Sequence, residues 1–171
     1  MKLPPEILSP LVNNHAILNN LRADIVMCII LQESGADTFA NRFEPAFYDK
    51  YLKDKSRNEL TGFVPPSIPT LITEKHNRAT SWGLMQVMGE TARWCAKVTA
   101  PYLTTLCDPD RGIDAGCRVL SYYLGLENED YPRALARYNA GNPNSPVGRQ
   151  YADIVANRVI AGEHLKYFNG R

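Results

Sequence analysis

The stretch that most constrains the fold is NNHAILNNLRADIVMCIILQESG, residues 13–35. It contains no proline, and it includes the longest fully apolar run of the chain, the seven residues 25–31. A helix that is apolar on every side belongs in the core of a domain. We therefore predict a central buried helix that ends at Gly35, because glycine readily adopts the left-handed conformation that closes a helix.

The positions of proline divide the rest of the chain. Proline interrupts helix interiors but is tolerated in first turns and loops, so the proline-free windows 11–44, 70–100, 110–131 and 147–171 are helix candidates. We predict further helices in EPAFYDKYLKDK from Pro45, in LMQVMGETARWCAKV after Gly83, in the segment capped by Asp110, in ENEDYPRALARYNAG before Gly141, and over residues 149–168.

The least regular part of the sequence is the stretch 56–72, SRNELTGFVPPSIPTLI, which we interpret as a long loop or lid. Short strands fit only in 36–43 or 58–73, and no six residues there alternate between apolar and polar. The predicted fold class is therefore mainly α, with a long irregular segment.

Composition restricts the class of protein. A chain of 171 residues is the usual length of one domain, so we expect a single domain over residues 1–171. A net charge of +1 gives no bias toward nucleic acid, and the longest apolar run is much shorter than the roughly 20 residues that span a bilayer. The start, MKLPPEILSPLV, lacks the apolar core of a signal peptide, so we expect synthesis in the cytoplasm without one.

The cysteines and histidines are scattered and show no metal-ligand spacing, so we predict no zinc site. Cys28 lies inside the apolar run, which favours a buried thiol over a reactive one. A disulfide between Cys107 and Cys117 stays open, because it depends on an oxidising compartment.

Glu33 is the candidate catalytic residue. It lies in the last turn of the predicted helix, where the negative end of the helix dipole disfavours a carboxylate, and the apolar residues before it add desolvation. Both effects raise a carboxyl pKa, and a general acid at near-neutral pH needs a raised pKa. The alternative from these residues alone is a solvated glutamate at a fraying helix end.

Three blocks of sequence favour a catalytic Glu33 over a solvated one: E-S-G at 33–35, S-W-G-L-M-Q at 81–86 and A-R-Y-N-A-G at 136–141. In this order they resemble the soluble lytic transglycosylase family, lysozyme-like enzymes that cleave the glycan strands of bacterial peptidoglycan. The segment DPDRGIDAGCRVL at 108–120 is similar to a helix of that family, so the resemblance covers roughly residues 20–160. It implies a lysozyme-like fold.

The resemblance also implies site residues, carried over position by position. Glu33 matches the single catalytic acid/base and Tyr138 a tyrosine close to that carboxyl, with a phenol that could hydrogen-bond it. The implied substrate-binding residues are Ser34, Ser81, Met85, Gln86, Asn139 and Tyr151. Amides, hydroxyls and aromatic faces suit the hydroxyl and acetamido groups of sugars.

Other roles stay open for several of these residues, and the chain departs from the family pattern. Tyr138 and Met85 could be core residues, and Gln86 a satisfied buried amide. Thr38 stands where the family often has proline, and Gly112 where it has asparagine. The irregular stretch 56–80 has no counterpart that we can place in the family.

The expected function is cleavage of the bond between N-acetylmuramic acid and N-acetylglucosamine with formation of a 1,6-anhydro ring. Two alternatives remain: a hydrolysing muramidase with a second carboxylate, for which Asp37 and Asp49 are candidates, and a non-catalytic wall-binding virion protein. The expected partner is the peptidoglycan glycan strand, and we expect a monomer. The expected place of action is the cell wall (the periplasm), reached through a phage holin or as a virion component, and a bacterial enzyme exported by another route is the alternative. The expected reaction implies no metal or organic cofactor.

Overall fold

The computed structural model describes residues 1–66 and 69–168 of the chain, and these residues are mainly helical. The predicted mainly α fold class is confirmed by this helical content. The helices are α1 Pro5–Leu18, α2 Ala23–Glu33, α3 Pro45–Tyr51, α4 Leu71–Arg78, α5 Gly89–Trp94, α6 Pro109–Leu126, α7 Tyr131–Ala140, α8 Pro146–Ile160 and α9 Leu165–Phe168. Short 3-10 helices occur at Arg57–Glu59 and Leu103–Cys107.

Three short strands form an antiparallel sheet in the order β1 (Asn41–Phe43), β2 (Thr80–Trp82), β3 (Val87–Met88). Ser81 in the middle strand pairs with Arg42 on one side and with Met88 on the other. The chain enters α3 directly from β1, and the Glu44 N–H donates to the Ala79 carbonyl at 2.8 Å. The pairing of β1 with β2 and this hydrogen bond fix the 41–51 segment against β2.

The main core is built around α2, in which all six residues 25–30 are buried. Helices α1 and α8 pack against α2, and α6 and α7 extend the same core. A second, smaller core consists of Leu52, Leu60 and Ala79. All of its residues come from the 41–80 segment, so this segment has a small apolar core of its own.

The central helix is correctly predicted at its C-terminal end but not at its start. Helix α2 ends at Glu33, and Gly35 has φ +56°, as expected of a left-handed helix end. The prediction of a single helix from residue 13 is wrong, because the helical conformation is interrupted at Asn20, which has φ +54°. Asparagine tolerates this conformation better than most residues. The residues before this break belong to a separate helix, α1, which begins at Pro5 and contains Pro10.

Three other helix boundaries need correction. Helix α6 is capped by Asp108, whose carboxylate accepts the Arg111 N–H at 3.1 Å, and not by Asp110. The segment after Gly83 forms a turn and strand β3 before α5 begins. The final helix, predicted over residues 149–168, is divided at Gly162, which has φ +69°. The predictions for Pro45 and Gly141 are confirmed, at the start of α3 and the end of α7.

The segment predicted to be irregular over 56–80 is only partly so. A 3-10 helix, α4 and the start of β2 lie within it, and residues 67 and 68 lie outside the described residues. Buried charges organise it: Glu74 accepts hydrogen bonds from Arg78 and Arg93, and all three side chains have no exposed surface. Arg78 also donates to the carbonyls of Thr61 and Phe63 at 2.8 and 2.7 Å, which holds the loop that precedes α4.

Both departures from the family pattern have a local physical reason. Thr38 is buried, and its hydroxyl donates to the Cys107 carbonyl while its N–H donates to the Met1 carbonyl. Proline could provide neither hydrogen bond. At Gly112 an added Cβ would collide with the Leu106 carbonyl oxygen, so asparagine does not fit there without a backbone shift.

Cys107 and Cys117 are free thiols in this structure, so the disulfide that the sequence left open is not formed. Cys28 is buried as predicted, and burial raises the pKa of its thiol to about 11. Within the described part of the chain, no helix is long and apolar enough to cross a bilayer.

Candidate active site

Glu33 lies at the C-terminal end of α2 and faces a cleft of about 650 Å³. Burial raises the pKa of its carboxyl above the ordinary value, while the Tyr151 hydroxyl and the Arg42 guanidinium act in the opposite direction. The net shift is upward. A carboxyl in this setting can hold a proton at higher pH than a solvated glutamate, as the sequence predicted.

The cleft is lined by residues from the sheet and from the helices around it. Volumes of this order accommodate a ligand of drug size, such as a short run of sugar rings. Its described lining residues are Glu33, Arg42, Glu44, Phe47, Tyr51, Ser81, Gln86, Val87, Met88, Thr91, Val119, Tyr123, Arg137, Tyr138, Asn139, Ala140 and Gly141.

The segment 83–86 forms the turn between β2 and β3. Gly83 has φ +70°, and an added Cβ would collide with the Leu106 carbonyl oxygen, so only glycine fits. Gln86 also has a positive φ, +47°, and its side chain ties the turn together. Its amide Nε2 donates to the carbonyls of Ala40 and Gly83 at 2.9 and 2.8 Å, and its Oε1 accepts from the Ser81 hydroxyl at 3.0 Å. The amide of Gln86 is therefore mostly occupied by the protein itself.

Ser34 and Met85 are not among the cleft-lining residues. The Ser34 hydroxyl donates to the Leu84 carbonyl at 2.8 Å, which links the end of α2 to the turn. The Met85 side chain is fully buried, and a Cβ added at Gly116 would overlap it. The structure therefore gives both residues supporting positions rather than direct access to a ligand in the cleft.

Tyr138 lines the cleft from α7, but its phenol does not donate to Glu33 as the sequence analysis expected. Its hydroxyl donates to the Met85 carbonyl at 2.8 Å, which fastens the turn to α7. Burial and the nearby charge of Glu33 raise the pKa of Tyr138 well above the ordinary value. The neighbouring Asn139 is exposed at the cleft.

Tyr151, predicted as a substrate-binding residue, is buried and is not among the cleft-lining residues, but its hydroxyl approaches the Glu33 carboxyl from α8. Its hydroxyl lies close enough to stabilise the charged form of Glu33, although it makes no hydrogen bond of regular geometry among the described residues. Burial and the Glu33 charge raise the pKa of Tyr151 well above the ordinary value. Glu33 therefore lies near two neutral phenols.

Several cleft residues were not predicted from the sequence, and four of them come from the 41–51 segment. Arg42 and Glu44 form an ion pair, with Nε and Oε1 2.5 Å apart, and α3 contributes Phe47 and Tyr51. Arg137 also lines the cleft. It is held by the buried Glu127, whose carboxylate is also bound by Arg133.

The family model described as the transglycosylase SLT domain matches residues 11–153. The chain belongs to this family. The match includes all eight residues predicted from the sequence for the site, and it identifies the SLT domain as a lysozyme-like enzyme that acts on peptidoglycan. Searches of curated proteins and of solved structures found no match.

Proposed function

We propose that this SLT domain cleaves the glycosidic bond between N-acetylmuramic acid and N-acetylglucosamine and forms a 1,6-anhydro-muramyl product, with Glu33 as the single acid/base. The observation that carries the proposal is the position of Glu33: a carboxyl with a raised pKa in the cleft of a family that acts on peptidoglycan. A group that first donates and later accepts a proton needs such a pKa.

The proposed reaction uses the substrate as its own nucleophile. Glu33 donates its proton to the glycosidic oxygen, and the C1–O bond breaks as the acetamido carbonyl oxygen of the muramyl sugar attacks C1. The Glu33 carboxylate then takes the proton of the muramyl 6-hydroxyl. The freed oxygen attacks C1, the bond to the acetamido oxygen breaks, and the 1,6-anhydro ring closes with Glu33 protonated again.

The other predicted site residues have supporting or binding roles in this proposal. Tyr138 and Ser34 hold the 83–86 turn from two sides through the carbonyls of Met85 and Leu84. Asn139 lines the cleft with an exposed amide and offers polar atoms to the sugar hydroxyl and acetamido groups. Ser81 and Gln86 also line the cleft, but their side-chain hydrogen bonds hold the 83–86 turn. Tyr151 is placed to influence the proton of Glu33.

A hydrolysing muramidase would need a second free carboxylate near Glu33. Neither candidate from the sequence lies in the cleft lining: Asp37 pairs with the amino terminus of Met1, and the exposed Asp49 lies 3.7 Å from Lys53 Nζ. Glu44 is the other carboxylate among the described lining residues, and it is paired with Arg42. This arrangement favours a single acid/base. The setting of phage lysis or virion delivery, and the monomeric state, stay predictions.

The carboxylates separate the two mechanisms experimentally. We expect Asp37→Asn, Asp49→Asn and Glu44→Gln each to digest purified peptidoglycan within about threefold of the wild-type rate, because none carries a proton or a covalent bond in the proposed reaction. Loss of a true nucleophile or base costs on the order of 100-fold or more. A loss of that size in any one folded variant would favour the hydrolase.

Arg42 provides a test of the acid role of Glu33 through the pH profile. Arg42→Gln removes a cation that lowers the pKa of Glu33 and leaves the Glu44 carboxylate uncompensated. Both changes raise the pKa of Glu33. Because the reaction begins with protonated Glu33, activity falls as pH rises through this pKa, and the alkaline limb of kcat/KM should move to higher pH. Arg149→Gln, an exposed change outside the cleft lining, should leave the profile in place. A shift to lower pH would contradict the assignment.

A further inference from the structure

Helix α3 carries a pair of aromatic side chains that none of the matched sequence blocks includes. Phe47 and Tyr51 are four residues apart, so they lie on the same face of the helix. Their ring centroids are 4.9 Å apart, with an angle of 51° between the ring planes, and both residues line the cleft that contains Glu33. Tyr51 is 47% exposed.

The two rings have different support. Phe47 packs against the smaller core, which holds its ring in place from below. Among the described residues Tyr51 belongs to neither core and its ring contacts Phe47, so burial in a core does not explain an aromatic side chain at this position. A third aromatic residue of the helix, Tyr48, stacks on His76 with the ring centroids 4.5 Å apart and does not line the cleft. The helix thus presents Phe47 and Tyr51 to the cleft, while Tyr48 packs against His76 and the smaller core.

The charges of the cleft favour an uncharged ligand over an acidic peptide. Arg42 is paired with Glu44, and Arg137 is paired with Glu127. Each cation that lines the cleft near the catalytic carboxyl therefore already has a carboxylate partner among the described residues. A neutral sugar ring needs hydroxyl and amide partners and an apolar surface for its C–H face, and an exposed aromatic ring provides that surface.

We propose that Phe47 and Tyr51 form an additional sugar-binding subsite of the cleft, one that holds a ring of the glycan strand away from the bond being cleaved. The inference rests on the proposed function, because the continuity of the aromatic pair with the Glu33 cleft is what identifies the occupant. Lys50 Nζ lies 4.8 Å from the centroid of the Tyr51 ring. Such an exposed cation–π contact is weak, so a sugar can displace it.

The test uses the wild-type chain and variants at Tyr51 on soluble glycan strands from which the peptides have been removed. Tyr51→Ala should raise KM about tenfold and leave kcat nearly unchanged, because the lost contact is the same in the bound and the reacting complex. Tyr51→Phe keeps the ring and should restore KM to within about twofold. Tyr102→Ala removes a tyrosine of similar exposure, 44%, outside the cleft lining, and should have no effect.

The outcomes separate this inference from the proposed function. A wild-type KM for Tyr51→Ala, or an effect on peptide-bearing strands alone, would overturn the sugar subsite while leaving the chemistry at Glu33 as proposed. A fall in kcat with unchanged KM would also overturn it, because Tyr51 would then act on the reaction itself. Failure of the wild-type enzyme to form anhydro products would instead overturn the proposed function, and it is measured on the same digests.

Discussion

Replacing Glu33 by glutamine is expected to lower the rate of peptidoglycan digestion at least 100-fold. Glutamine has nearly the same shape but can neither give nor take the proton, and a positioned acid/base contributes about 10²–10⁴-fold to a reaction rate. The measurement is the initial rate at which soluble fragments are released from purified peptidoglycan. A folded variant that digests walls at the wild-type rate would remove Glu33 from the mechanism.

The same variant should be at least as stable as the wild type at neutral pH. Burial raises the pKa of Glu33, so its charged form is less favourable in the folded state than in the unfolded chain, and removing that charge removes the cost. At pH values above the unfolded-state pKa of glutamate, the free energy of unfolding of the variant should therefore equal or exceed that of the wild type. At pH values below that pKa, the two free energies should be the same. Urea titrations at neutral and acidic pH provide the comparison, and they also establish that the inactive variant is folded.

Replacing Glu74 by glutamine is expected to lower the free energy of unfolding by about 3–5 kcal/mol, without touching the cleft. Its Oε1 lies 2.9 Å from Arg78 Nε and 2.8 Å from Arg93 Nε, and none of the three side chains is exposed. Without the Glu74 charge, the buried Arg93 guanidinium has no carboxylate counterion among the described residues, while Arg78 keeps Glu90. Breaking a buried ion pair on one side causes losses of this size. Urea denaturation of the purified protein measures the change.

Glu6→Gln supplies the control, since Glu6 is an exposed residue in the first turn of α1. Exposed substitutions of this kind usually change stability by less than about 0.5 kcal/mol. A loss below about 1 kcal/mol for Glu74→Gln would contradict the view that this charge cluster organises the 61–80 segment.

The sequence predicts much of the helical framework because the determinants are local. Pro132 lies in the first turn of α7 and Gly141 closes it with φ +70°, as the residue types required. The end of α2 at Glu33 follows the same logic. The local signals fail at the 83–86 turn, where the apolar residues Leu84 and Met85 imitate a helix. The turn depends on distant residues: the Ala40 carbonyl accepts two hydrogen bonds from it, and the Leu106 carbonyl leaves room only for glycine at position 83.

The candidate site is predictable to the extent that it lies in matched sequence blocks. Of the residues that the resemblance implied, Glu33, Ser81, Gln86, Tyr138 and Asn139 line the cleft, whereas Ser34, Met85 and Tyr151 do not. The residues contributed by β1 and α3 could not be found in this way. They reach the cleft through the pairing of β1 with β2 and the support of the smaller core, and neither leaves a pattern in the sequence.

The most direct test of the central claim is mass spectrometry of the glycan fragments that the enzyme releases from purified peptidoglycan. The account predicts muramyl ends that carry a 1,6-anhydro ring, which weigh about one water less than hydrolysed ends, because one carboxyl and the acetamido group of the substrate carry the reaction. Fragments that end predominantly in reducing muramyl sugars would contradict it and would assign the cleft to a hydrolase.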